Sequence, residues 1–189
     1  MILLELFNAI QSRRSVRNYS PQEVSKDLLH QLLEAAVQAP SAMNSQPWAF
    51  AVIQDRELLN HYSDRAKAFL LSQMDQHPSL TKYRAALANP DFNIFYNAGT
   101  LLIVYAVPNG PHPEEDCCLA AQNIMLAAHG LGLGTCWIGF ARPLLNLPEV
   151  KTELGVPAEY QAVAPLIVGY PAGPVAPIPK KPPQILFWR

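Results

Sequence analysis

The chain has 189 residues, half of them apolar, with 14 Lys and Arg against 15 Asp and Glu for a net charge of −1. That length supports one substantial core and a single domain over residues 1–189. A charged fraction of 15 % excludes a strongly charged disordered chain, and the near-neutral balance excludes a general nucleic-acid binder, which needs a basic excess. The most apolar stretches, such as Leu101–Val107, fall far short of the roughly 20 residues a bilayer span requires, so no membrane partner is expected. Cys117, Cys118 and Cys136 make an odd set without a CxxC pair, which argues against a disulfide framework or a zinc knuckle and for a reducing, cytoplasmic setting.

In chain order, Met1–Arg14 is not a secretory leader, because its charges follow the apolar part and no small-residue cleavage site comes after. Leu3, Leu6, Phe7 and Ile10 have helical spacing and predict a helix over Ile2–Ser12. Ser25–Gln38 predicts a second helix, capped by Ser25, striped by Leu28, Leu29, Leu32, Leu33, Ala36 and Val37, and ended by Pro40. Trp48–Ile53 reads as a strand, Asp55–Ser72 as a helix capped by Asp55, and Ser79–Pro90 as a short helix in an irregular connection. Thr100–Val107 suits a buried strand.

Glu114–His129 reads as a helix with acids in its first turn and Gly130 as its left-handed stop, and its small residues (Ala120, Ala121, Ala127, Ala128) allow close packing. Thr135–Phe140 is a strand, Leu147–Leu154 a short helix with Pro148 in its first turn, and Ala162–Tyr170 a last strand. Pro171–Pro183 is too rich in proline for helix or inner strand, and the Ile185-Leu186-Phe187-Trp188 end needs a docking place, for which a partner subunit is one solution. The order predicts an α+β three-layer sandwich, with a central mixed, mainly antiparallel sheet flanked by helices.

Three segments can carry chemistry. Arg13-Arg14-Ser15-Val16-Arg17 gathers three guanidiniums and a hydroxyl, which suit an anion clamp for phosphate; arginines at a helix C-terminus facing water are the plain alternative. Pro40-Ser41-Ala42-Met43-Asn44-Ser45-Gln46-Pro47-Trp48 sets hydrogen-bonding side chains between stiffening prolines; it is either a presenting loop or an ordinary turn. Gly130-Leu131-Gly132-Leu133-Gly134 is not a dinucleotide fingerprint, since it lacks GxGxxG and runs from helix to strand rather than strand to helix. Its glycines cap the helix and let backbone come close to something flat. Cys136 has no activating base in view and reads as an inert buried thiol, and His129 reads as a helix-end residue. No HExxH, metal spacing or GxSxG is present.

Arg13–Arg17, Ala39–Trp48 and Gly132-Leu133-Gly134-Thr135-Cys136-Trp137-Ile138-Gly139, taken together, resemble the nitroreductase family of flavin enzymes over essentially the whole chain. The resemblance implies an α+β fold that binds flavin mononucleotide (FMN) at the interface of a homodimer. It implies that Arg13, Arg14, Ser15 and Arg17 contact phosphate, ribityl chain and ring edge. Pro40, Ser41, Ala42, Met43 and Asn44, with Gln46 in the same loop, would approach that flavin from the other subunit. Cys136, Trp137, Ile138 and Gly139 would line one side of the ring, and Lys180 or Lys181 of the arm (about 171–189) would reach the phosphate. NADH or NADPH would be the hydride donor in a ping-pong scheme, and a nitroaromatic, quinone or related small molecule the acceptor. Met43 would touch whichever ligand stacks on the ring. Its acceptor pocket would come from variable segments around Ala66–Asn97. Other outcomes on this fold are dehalogenation, dehydrogenation or flavin processing, a non-enzymatic flavin store or sensor, and an anion-binding module without flavin.

Overall fold

Residues 5–189 are described by a computed structural model, and they follow the order of helices and strands expected from the sequence. Helix α1 (Leu6–Ser12) ends where the expected Ile2–Ser12 helix ends but starts only after a non-helical Glu5; Leu3, the start of the expected apolar stripe, lies outside the described residues. The stripe does not enter this chain's core: Ala9 is buried, while Leu6, Phe7 and Ile10 are exposed. Helix α2 (Lys26–Ala36) starts where Ser25 accepts a hydrogen bond from Leu28 N at 3.3 Å, as predicted for its cap. Strand β1 (Trp48–Ile53) precedes α3 (Arg56–Ser72), whose cap Asp55 accepts from Glu57 N at 2.9 Å and Leu58 N at 3.0 Å.

The expected helix over Ser79–Pro90 is instead a 3₁₀ segment, Pro78–Tyr83, followed by α4 (Arg84–Ala88). Pro78 opens it without an N–H to give, and Pro90 lies just beyond. Strand β2 (Thr100–Ala106) leads to α5 (Pro113–Gly130). The left-handed stop of α5 falls at Gly132 (φ +78°) rather than Gly130. Leu133 N donates to Ala128 O at 2.8 Å and Gly132 N to His129 O at 3.1 Å, a Schellman closure. Strand β3 is shorter than expected, Gly134–Trp137, because a 3₁₀ turn at Gly139–Ala141 and helix α6 (Arg142–Leu145) follow it. Helix α7 (Pro148–Glu153) and strand β4 (Gln161–Gly169) complete the elements.

The four strands lie in the order β1-β2-β4-β3, every neighbour antiparallel. The parallel component of the expected mixed sheet is confined, among the described residues, to one bridge between Ser15 and Thr135. Strand β2 alternates: Leu101, Ile103 and Tyr105 pack under α3, α4, α6 and α7, while Leu102, Val104 and Ala106 face α2 and α5. This makes helix, sheet and helix layers. Ala120, Ala121 and Ala128 are fully buried, so α5 does use its small residues to lie close against the sheet. Among the described residues no helix is long and apolar enough to cross a membrane.

Candidate functional site

After α1 the chain runs extended along the free edge of β3. Val16 N donates to Thr135 O at 2.9 Å, which sets Ser15 beside Thr135 in parallel register. A Cβ at Gly134 would stand 2.6 Å from Val16 Cγ2, so this close approach requires glycine there. Farther on, Ser20 N donates to Tyr170 O at 2.8 Å and Ala172 N to Asn18 O at 3.0 Å. Residues 13–20 are thus stitched to β3 on one side and to the chain leaving β4 on the other.

The arginines occupy different places. Arg14 turns back onto α1: its Nη1 donates to Gln11 O at 2.6 Å and to Arg13 O at 2.7 Å. That is the carbonyl-capping role that a helix C-terminus offers a cation. Its Nε is buried with no partner. Arg13 and Arg14 line a cavity of about 260 Å³ at the joined ends of α1 and α5, backed by Gly132–Thr135 and closed by Pro171, Gly173 and Val175. Thr135 in its wall is only 1 % exposed, and its Oγ1 has no hydrogen-bond partner. His129, at the end of α5, completes the cavity.

Arg17 belongs to a second cavity of about 310 Å³, whose floor is Cys136–Gly139 and whose walls include Tyr83, Tyr96 and Phe140. Ile138 N donates to Pro165 O at 2.8 Å, which holds the floor down on β4 just as β3 ends. A Cβ at Gly139 would meet no protein atom within 4 Å, so the glycine leaves open space there. The Arg17 guanidinium stands 5.7 Å from the centre of the Tyr96 ring. Tyr96 and Asn97 both take left-handed backbone, φ +52° and +56°, a costly conformation for a tyrosine. Phe92 meets the Tyr96 ring edge-on with centroids 5.8 Å apart. The two cavities follow one another along the same pair of segments, residues 12–17 and 132–139.

Burial pushes the Cys136 thiol up, while Arg17, the Ser15 hydroxyl and Arg13 pull it the other way. Burial likewise pushes the Cys117 thiol up to about 12. Neither is poised as a nucleophile.

Pro40, Ser41, Ala42, Met43, Asn44 and Gln46 line neither cavity of their own chain. Their loop is nonetheless built firmly. Ala42 N donates to both oxygens of the buried Asp116, at 3.1 and 3.2 Å, and Gln46 N donates to Ser41 Oγ at 3.0 Å. Met43, Asn44 and Gln46 all have left-handed backbone (φ +54°, +54° and +47°), and Met43 is 92 % exposed. Lys180 and Lys181 are exposed on an arm that runs without helix or strand after Pro171. The arm's Ile185, Leu186, Phe187 and Trp188 are exposed as well.

The structure adds residues that the sequence pattern did not single out for this site. Tyr83 and Tyr96 reach it from the connection between α3 and β2, Phe140 from the 3₁₀ turn after β3, and Ser12 and Thr135 from the ends of regular elements. Thr135 lies inside the Gly132–Gly139 motif, and Ser12 and Phe140 each stand directly beside a motif; no spacing marks an aromatic in an irregular loop, such as Tyr83 or Tyr96, as a cavity wall.

Comparison with known proteins bears on this geometry. The model of the family described as the nitroreductase family matches residues 10–170. A protein of Archaeoglobus fulgidus described as an NADH dehydrogenase/NAD(P)H nitroreductase is 33 % identical over 172 residues, 88 % of this chain and 86 % of that protein. An iodotyrosine deiodinase of Thermotoga neapolitana is 26 % identical, covering 93 % of each chain. The crystal structure of a nitroreductase with bound FMN from Bacteroides fragilis superposes with a TM-score of 0.85 at 29 % identity, covering 98 % of this chain and 99 % of that one.

Proposed function

The chain belongs to the nitroreductase family, and on that footing we propose that it is an FMN-dependent NAD(P)H oxidoreductase acting as a homodimer. One observation carries the proposal: the Arg13–Arg17 segment and the Gly132–Gly139 segment lie side by side and form two cavities in line, one cationic and one flat and aromatic. The residues fit a flavin nucleotide. The orphaned Arg14 Nε and Thr135 Oγ1 lie beside the cationic cavity and want acceptor oxygens. The open space at Gly139 suits a planar ring over the Cys136–Gly139 backbone.

In this arrangement Arg13 holds the phosphate end and Ser15 the connecting chain. Arg17, braced by Tyr96, brings positive charge to the ring end and favours added negative charge there. Bound FMN would supply the redox chemistry, taking hydride from NADH or NADPH and passing electrons to a nitroaromatic, quinone or related small acceptor. Tyr83, Tyr96 and Phe140 would flank that acceptor.

The second copy supplies what one chain lacks. The Ser41–Gln46 loop, with Met43, Asn44 and Gln46 exposed, lines neither cavity of its own chain and would enter the partner's site. The arm from about residue 171 to 189 would dock its apolar end on that partner and bring Lys180 or Lys181 to phosphate. We read residues 1–189 as one functional unit, working in a reducing cytoplasm that suits its three free thiols. Titration of the purified protein with FMN tests the proposal: uptake of about one flavin per chain supports it, and no uptake contradicts it.

A further inference from the structure

We propose that His129 is a phosphate-binding residue of this site: when a phosphate dianion enters the cavity at the ends of α1 and α5, the imidazole takes a proton from solvent on Nδ1 and holds the anion as a cation. This rests on the flavin-nucleotide proposal above. One hydrogen-bond pattern satisfies Ser12 and His129 together and selects a tautomer. Ser12 Oγ donates its single proton to Asn8 O at 2.6 Å, and His129 Nε2 lies 2.7 Å from Ser12 Oγ. With its proton committed, Ser12 can only accept, so Nε2 carries the hydrogen and the lone pair stays on Nδ1.

The charged groups that face His129 are Arg13 and Arg14, from the end of α1. The β3 residues Gly134 and Thr135 and the arm residues Pro171, Gly173 and Val175 that line the cavity bring no charge. Burial first, and then these two arginines, hold the imidazole below its usual range in the anion-free site. It is therefore neutral near pH 7. A phosphate dianion between the two guanidiniums and the ring reverses the balance, because it screens both repulsions and adds an attraction of its own. The C-terminal end of α5 favours the same charge. The cavity then offers three cationic donors around one anion, with Thr135 Oγ1 and Arg14 Nε still unpartnered beside it.

Calorimetric titration of flavin-free protein at pH 7.5, in two buffers of different ionisation enthalpy and without phosphate or sulfate, counts the protons taken up. At that pH the FMN phosphate is almost wholly dianionic, so uptake reports on the protein. We expect between about half and one proton per FMN, none for riboflavin, and almost none for FMN with His129→Gln. FMN binding with no uptake by the unaltered protein, or with the same uptake in His129→Gln, overturns the role of His129 and leaves the flavin site standing. Failure of both flavins to bind overturns the site itself, and His129 with it.

Discussion

Ser15 and Thr135 form a single parallel bridge at the outer edge of β3, and that bridge decides the order of the site. Residues before it, Arg13 and Arg14, fall beside Gly132–Thr135, and the residue two beyond it, Arg17, falls beside Cys136–Gly139. A ligand lying along the bridge therefore meets cations at one end and a flat aromatic chamber at the other.

The three arginines should consequently behave differently. Arg13→Ala is expected to weaken FMN by roughly ten- to a hundredfold, the range for a charge-assisted contact, and riboflavin by less than about threefold. Arg17→Ala should weaken both flavins by a similar factor. Arg14→Ala should also weaken FMN more than riboflavin, and should in addition cost about 1 kcal/mol of stability through the uncapped end of α1. Fluorescence titration with the two flavins and urea unfolding of each variant separate these outcomes.

The Ser41–Gln46 loop holds left-handed backbone at three positions that are not glycine. Met43→Gly should therefore stabilise the flavin-free protein by about 1 kcal/mol, because it removes the Cβ penalty. It should still bind flavin less well. Asp116→Ala removes the acceptor for Ala42 N and should cost about 1–3 kcal/mol. Urea unfolding checks both signs; a destabilised Met43→Gly would show that the strain lies elsewhere.

Alkaline pH should unfold the protein through its buried phenols. Burial first, then the bond from Tyr62 to Glu153, pushes the Tyr62 phenol up to about 12, and burial pushes Tyr19 and Tyr105 up as well. A folded-state pKa above the ordinary phenol value of 10.0 means that stability is full below pH 10 and falls as the pH rises toward 12. Absorbance near 295 nm should show these tyrosines ionising together with the loss of helical circular dichroism. Ionisation with the fold intact would contradict this.

The thiols should separate by access. Burial pushes all three thiols up, but Cys118 is exposed, whereas Cys117 and Cys136 are buried. Iodoacetamide at pH 8 should label Cys118 well before the other two, and the labelled protein should retain its flavin. Rapid labelling of Cys136 in the folded protein would point to a reactive thiol in the cavity floor.

Much of the fold is written in local chemistry. Ser25 and Asp55 cap the helices they announce, the apolar run at Thr100 is one of the two inner strands, and Pro148 opens α7. What escaped has a common cause: it depends on contacts distant in sequence. Gly130 and Gly132 are equivalent as helix stops until the Leu133 N bond to Ala128 O selects Gly132. The stripe of Leu6, Phe7 and Ile10 has helical spacing but points away from this chain's core, and spacing cannot say whose core it serves. The site divides in the same way. The arginine cluster and the Cys136–Gly139 backbone were visible as motifs, but only the Ser15–Thr135 bridge aligns them. Arg14 looked like its neighbours until its Nη1 was found on the carbonyls of Gln11 and Arg13. Tyr96 carries no sequence signal, since a left-handed tyrosine is imposed by the packing around it.

The most direct test is anaerobic mixing of the flavin-loaded protein with NADH and with NADPH in a stopped-flow spectrometer, followed by a nitroaromatic or a quinone. At least one nucleotide should bleach the oxidised-flavin absorbance, and the acceptor should restore it without the nucleotide present. Flavin that stays oxidised with both nucleotides would contradict a reductase and leave a flavin-storage protein on the same fold.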